Sequence, residues 1–194
     1  TATGQPVAAV LCLALTPDEV LDAERVWGPK RLEAVQRLLR DGVAWEDLPE
    51  HTHWNWASKL SGYLPRTGRF MGVECQGAVQ ALARVDLAGH LARADAGEPL
   101  VYVDFLESAP WNARQFTRSP RYKLAGTRLF EAAVRLSAAE GMHGRVGLHA
   151  LPQAVGFYET ACGMIGFGPD ATKEGLTYLE LTREAAADWL KEDV

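Results

Sequence analysis

The sequence is short of cysteine and has no long apolar run, no internal repeat and no low-complexity segment. Each shortage removes a class of protein. Only Cys12, Cys75 and Cys162 are present. An odd number so widely spaced gives no CxxC pair of the kind a zinc ribbon or thioredoxin-like site needs. They read as buried free thiols in a reducing, cytoplasmic setting. The one apolar run resembling a targeting segment, Val7 to Leu15, is far shorter than the roughly 20 residues that span a bilayer. No basic region precedes it, and Thr16-Pro17-Asp18-Glu19 stands where a leader would be cleaved, so a buried first strand is expected. A large charge of one sign is missing too: a net charge of −5 gives no general attraction to DNA or an anionic membrane.

What remains is ordinary globular material. Apolar residues are 47% and charged residues 23% of the chain, too apolar for intrinsic disorder. A length of 194 residues suits one domain spanning 1–194, with a core that needs no disulfide or metal.

Periodicity sets the expected order of elements. Thr16 caps a helix with Pro17 at its first position and acids in its first turn. That helix is expected to run to about Val26, followed by a second over Arg31 to Leu39 with Leu32, Val35, Leu38 and Leu39 on one face. Trp45 to Tyr63 is rich in aromatics and is expected to hold a short helix around Trp54 to Leu60, before a loop at Leu64 to Gly68. Phe70 to Cys75 and Val79 to Asp86, joined by Gln76-Gly77, read as a hairpin. Leu100 to Leu106 is apolar enough for a central strand. Trp111 to Arg121 reads as a loop, and Leu124 to Glu140 is the clearest helix. Arg145 to Ala150 is a strand, Pro152 opens a short helix to about Cys162, Leu176 to Leu181 is a last strand, and Arg183 to Lys191 a terminal helix. Antiparallel meanders followed by a helical crossover make a mixed α+β sheet, not a doubly wound one.

Chemistry concentrates where the long helix begins. In Arg121-Tyr122-Lys123-Leu124-Ala125-Gly126-Thr127-Arg128, unpaired N–H groups and the helix dipole meet three cations. Gly126 removes a Cβ from the ligand's approach. Together these suit a pyrophosphate. His51-x-His53 has no third ligand at useful spacing, so no metal site is expected. His149 is a candidate base or relay, or simply a packed histidine. Trp45, Trp54, Trp56, Tyr63 and Trp111 suit either an acceptor pocket or the core.

The stretch resembles the acyl-CoA loop of the GNAT acetyltransferase superfamily, Gln/Arg-x-x-Gly-x-Gly/Ala. Arg121 and Gly126 match its ends, and Leu124 replaces its first glycine. Upstream, Val103-Asp104-Phe105-Leu106-Glu107-Ser108-Ala109-Pro110 resembles the family's fourth strand and the proline that follows. Downstream, Ala154-Val155-Gly156-Phe157-Tyr158-Glu159 resembles its Ala-x-x-hydrophobic-Tyr-Glu helix, with Leu151 where an Asn is common. The resemblance covers about residues 70 to 182.

It implies a mixed sheet flanked by helices, with the fourth and fifth strands splayed, and acetyl-CoA as co-substrate with no metal. Cofactor contacts would come from Leu106, Ser108, Arg121, Lys123, Leu124, Ala125, Gly126 and Thr127, and the amine would attack the thioester directly, with Tyr158 protonating the leaving thiolate. An amine with a pKa near 10.4 must lose its proton, a deficit of about 4.6 kcal/mol at neutral pH. Asp104 and Glu107, an odd number of positions apart on one strand, face opposite sides of the sheet and are the candidate bases. Burial in an apolar run would raise the pKa of Asp104. The expected acceptor is a small-molecule or peptide amine, with no DNA or membrane partner and a homodimer left open. The departures at Leu124 and Leu151 keep a second reading alive, a CoA-binding sensor of the same fold with weak or no turnover.

Overall fold

The computed structural model describes residues 4–62 and 68–191; Tyr63 and residues 64–67 of the expected loop lie outside them. The described elements run β1 (Val10–Cys12), α1 (Pro17–Arg40), α2 (Trp56–Gly62), β2 (Gly68–Cys75), β3 (Ala78–Asp86), β4 (Val101–Ser108), α3 (Ala125–Ala139), β5 (Val146–Ala150), α4 (Val155–Thr160), β6 (Ile165–Asp170), β7 (Leu176–Leu181) and α5 (Arg183–Leu190). The seven strands form one open mixed sheet in the order β1-β2-β3-β4-β5-β7-β6, the α+β architecture expected from the pattern. The described residues divide into two compact units, 4–62 with 70–83 and 106–129, and 68–69 with 84–105 and 130–191.

In the first unit, a capping box starts α1. Thr16 accepts from the Glu19 backbone N–H, and the Glu19 carboxylate accepts from the Thr16 N–H at 2.7 Å, satisfying two orphan donors at once. The two helices expected here are one, because α1 runs unbroken from Pro17 through Gly28-Pro29 to Arg40. A proline removes one helical hydrogen bond, and neighbours that pack can absorb the loss. Here Trp27 and Arg31 on either side of it are buried, and Trp27 Nε1 donates to the Val79 carbonyl.

The expected buried first strand is a short, exposed one. β1 covers only Val10–Cys12, pairs antiparallel with β2 (Leu11 opposite Val73), and leaves Val10 62% exposed. Apolar character in a strand does not show whether both faces are covered, and β1 lies at the sheet edge. The β2–β3 hairpin turns on Gln76 and Gly77, both at positive φ, as a two-residue turn matched to strand twist demands.

In the second unit, β4 and β5 pair in parallel through Val101–Val146, Tyr102–Gly147 and Val103–Leu148. β4 continues past this ladder to Ser108. β5 pairs antiparallel with β7, and β7 with β6. β6 has no counterpart in the expected order. Gly168, at positive φ, and Pro169 interrupt it, and the strand accommodates them with a register shift between Gly166 and Pro169 at the free edge, where a missing N–H is tolerated. Phe130, Leu148, Leu179 and Leu181 are fully buried in this unit's core.

Candidate functional site

The first unit holds the segment expected to cradle a phosphate. Leu124, the residue before α3, has φ +67, and its carbonyl accepts the first helical hydrogen bond, from the Arg128 N–H at 2.9 Å. That left-handed conformation is one only glycine adopts freely, at a cost of roughly 1–2 kcal/mol for other residues. Here lies the physical reason for a glycine at this place in the GNAT pattern, and Leu124 keeps the conformation without being one. The α3 N–H groups of Ala125, Gly126 and Thr127 precede the first bonded one, so the turn presents unpaired donors. Arg121, Lys123 and Arg128 are exposed around it, and the Leu124 side chain is 64% exposed.

Gly126 serves a different end from the one its sequence position suggests. A Cβ there would lie 3.2 Å from Ser108 Oγ and 3.6 Å from Leu106 Cδ2. The glycine lets α3 begin tightly against the end of β4, which places Leu106 and Ser108 directly beside the cradle. Of the expected cofactor residues, the structure therefore brings together Leu106, Ser108, Arg121, Lys123, Leu124, Ala125, Gly126 and Thr127 within one unit.

The segment between β4 and α3 is anchored on α1. Phe116 and Ala113 are buried against Ala34, Val35 and Leu38 of α1, and the Arg37 guanidinium donates to the Phe116 carbonyl. Its lack of periodicity hid this, because the anchors are single residues separated by turns. Trp111, one of the aromatics left open between pocket and core, donates through Nε1 to Gln80 Oε1 at 2.8 Å. Trp56 is fully buried, whereas Trp45 is 73% exposed. His51 is buried against Trp54 and Phe116, and that burial, with Arg31 nearby, pushes its imidazole down to about 4.

Glu107 lies in an ionic network that the sequence did not signal. Arg31 sits between Glu24 and Glu107, donating to each at 3.2 Å. Trp56 Nε1 donates to Glu107 Oε2 at 2.7 Å, and the Trp56 backbone N–H to Glu24 Oε2 at 3.0 Å. Burial pushes the Glu107 carboxyl up to about 7, against the opposing pull of Arg31 and Trp56. Its carboxylate faces helices α1 and α2.

The second unit holds the other two candidates. Asp104 forms an ion pair with Arg84 of β3; burial raises its pKa and Arg84 opposes the rise. Tyr158 of α4 is 7% exposed and packs on Phe130 and Phe157. Burial, with the Cys162 thiol adding to it, holds the phenol well above its ordinary range, so it keeps its proton at any working pH. His149 is engaged at both ring nitrogens, by the Tyr102 hydroxyl at 2.6 Å and by Asp170 at 3.3 Å. Among the described residues no group of three or more metal-ligating side chains is found, and no helix is long and apolar enough to cross a membrane.

No family model and no curated protein matches the sequence. Solved structures do. The chain is similar to aminoglycoside acetyltransferase AAC(6')-Ib in complex with coenzyme A and kanamycin, at 18% identity and TM-score 0.59, over 93% of this chain and 98% of that one. It is similar to AAC(6')-Ib in complex with ribostamycin and coenzyme A, at 19% identity and TM-score 0.58, over 96% and 99%. An acetyltransferase from Thermus thermophilus aligns at 15% identity and TM-score 0.52, over 90% and 97%. At these identities it is the fold that is shared, and that fold is the GNAT fold.

Proposed function

We propose that the chain is a single-domain, acetyl-CoA-dependent N-acetyltransferase acting on a small-molecule amine. The observation that carries this reading is the opening of α3. A left-handed residue at 124 and a glycine packed on Ser108 put bare N–H groups among Arg121, Lys123 and Arg128. This donor set fits the phosphates of CoA, and the GNAT fold of the chain makes CoA the expected ligand.

In this reading Arg121 and the backbone from Lys123 to Thr127 hold the pyrophosphate, and the β4 backbone at Leu106 and Ser108 holds the pantetheine arm. Asp104 takes the proton of the attacking amine: both candidates are paired with an arginine, but the Asp104 side chain keeps 16% exposure where that of Glu107 keeps 2%. The amine nitrogen bonds to the thioester carbonyl carbon, the carbon–sulfur bond breaks, and Tyr158 returns a proton to the sulfur. Burial keeps that phenol protonated while making it a weaker acid, so the transfer depends on negative charge developing on the sulfur. Two of the similar solved structures, of an aminoglycoside acetyltransferase, hold kanamycin and ribostamycin, so aminoglycosides lead the acceptors to test.

A second reading, a CoA-binding protein with little turnover, draws on the pairing of both candidate bases with arginines. A panel of aminoglycosides, polyamines, lysine and peptide N-termini, mixed with acetyl-CoA and followed by thiol release, separates the two. Acceptor-dependent release supports the enzyme; CoA binding with no release for any amine supports the sensor.

A further inference from the structure

A continuous set of polar contacts leads from the middle of the β2–β3 hairpin to the first residue of the cradle, all within the first unit. Gln80 of β3 is 2% exposed. Its Oε1 accepts from Trp111 Nε1 at 2.8 Å and Asn112 Nδ2 at 2.9 Å, and its carbonyl accepts from the Ala109 N–H at 2.9 Å. Its Nε2 donates back to its own hairpin, to the carbonyls of Ala78 and Cys75 at 3.0 and 3.3 Å. Asn112, 7% exposed, spends its other end on the cradle, with Oδ1 accepting from the Tyr122 N–H at 2.9 Å. The Arg121 N–H donates to the Trp111 carbonyl at 3.1 Å. Tyr122 then closes the set on the hairpin turn, its hydroxyl donating to Gln76 Oε1 at 2.6 Å, while the Arg121 guanidinium reaches the same oxygen at 3.4 Å.

We infer that Gln80 and Asn112 are positioning residues for the cofactor phosphates. Through paired amides they clamp both ends of the β4–α3 segment to β3 and fix the height and direction at which Arg121 and Tyr122 enter the cradle. The inference rests on the reading of residues 121–127 as the CoA phosphate site. Two buried amides with every donor and acceptor used are more than the segment needs for burial alone, since Phe116 already anchors its middle. What they add is the orientation of two consecutive backbone N–H groups, at Arg121 and Tyr122, which Lys123 separates from the strained Leu124. A polar network that is fully satisfied specifies one geometry where apolar packing allows several.

The test compares CoA with pantetheine, which lacks the phosphates, by calorimetry on the full chain. Wild type should bind CoA at least about tenfold more tightly than pantetheine, reflecting charge-assisted phosphate contacts. Asn112→Ala should weaken CoA about tenfold and leave pantetheine within about twofold, because misplacing the cradle affects only the phosphates. Tyr122→Phe, which removes one hydroxyl and leaves the buried ring, should shift CoA alone in the same direction by a few-fold, and it carries the test if Asn112→Ala does not fold. Equal losses for both ligands, or unchanged CoA binding in a folded variant, would overturn the positioning role. A wild type that binds CoA and pantetheine equally would overturn the phosphate site itself, and this inference with it.

Discussion

Arg31 of α1 donates through Nε and Nη2 to the two carboxylate oxygens of Glu107 on β4, each at 3.2 Å, with both side chains at 5% exposure or less. Glu107 is thus the far half of a buried pair, with Trp56 Nε1 donating to one of its oxygens as well. Removing the cation should be costly, because it leaves Glu24 and Glu107 buried together without a counter-charge. Arg31→Met should destabilise the chain by about 3–5 kcal/mol, measured by urea unfolding. Glu107→Gln keeps an acceptor for Trp56 and should retain activity within a few-fold; complete loss of turnover with CoA binding intact would make Glu107 the base after all.

The conformation of Leu124 makes a stabilising substitution available. Leu124→Gly removes a left-handed penalty of roughly 1–2 kcal/mol and adds about 0.5–1 kcal/mol of unfolded-state entropy. The net gain should raise the melting temperature by about 2 °C. Leu124→Val, β-branched at the same φ, should lower it. Calorimetric scans that put the glycine variant below wild type would contradict the strain.

Gly126 tests the cradle from its other side. With Ser108 Oγ 3.2 Å from where a Cβ would stand, Gly126→Ala forces a shift of a few tenths of an ångström and should weaken CoA modestly. Gly126→Asp adds a carboxylate beside the phosphates and should abolish CoA binding in calorimetry.

Tyr158→Phe should lower turnover by about 10²-fold or more while leaving the CoA dissociation constant within about twofold, since a proton donor matters chiefly in the transition state. Full turnover in the variant would reduce Tyr158 to a packing residue on Phe130.

His51 should give stability a pH dependence. Its folded pKa of about 4 lies below the ordinary histidine value of 6.5, so the unfolded chain binds the extra proton first. The contribution is intact above about pH 6.5 and is lost as the pH falls towards 4, by up to ~3 kcal/mol. Glu107, raised to about 7, acts in the opposite sense, with stability falling as pH rises from about 4.5 to 7. In urea titrations His51→Leu should lose the acid-side decline, and Glu107→Gln the fall towards neutrality. A wild-type profile unchanged by His51→Leu would show that the ring is not buried neutral.

The sequence by itself determined the elements whose signals are local. The Thr16 capping box, the Gln76-Gly77 turn, the apolar run of β4 and the amphipathic α3 each depend on neighbours a few residues away, and together they set the order of a mixed sheet. The helix start at Arg121 to Thr127 was legible for the same reason, since a glycine and three cations lie on one short stretch with it. Tertiary structure alone decided what depended on distant partners. Whether Gly28-Pro29 breaks α1 turned on the packing of Trp27 and Arg31, and whether Val10 to Cys12 is buried turned on its place at the sheet edge. The ties of Glu107 to Arg31 and of Asp104 to Arg84 join positions far apart in the chain. Charge pairing has no sequence period, so a strand pattern can place two carboxylates on opposite faces without showing which arginine each will meet.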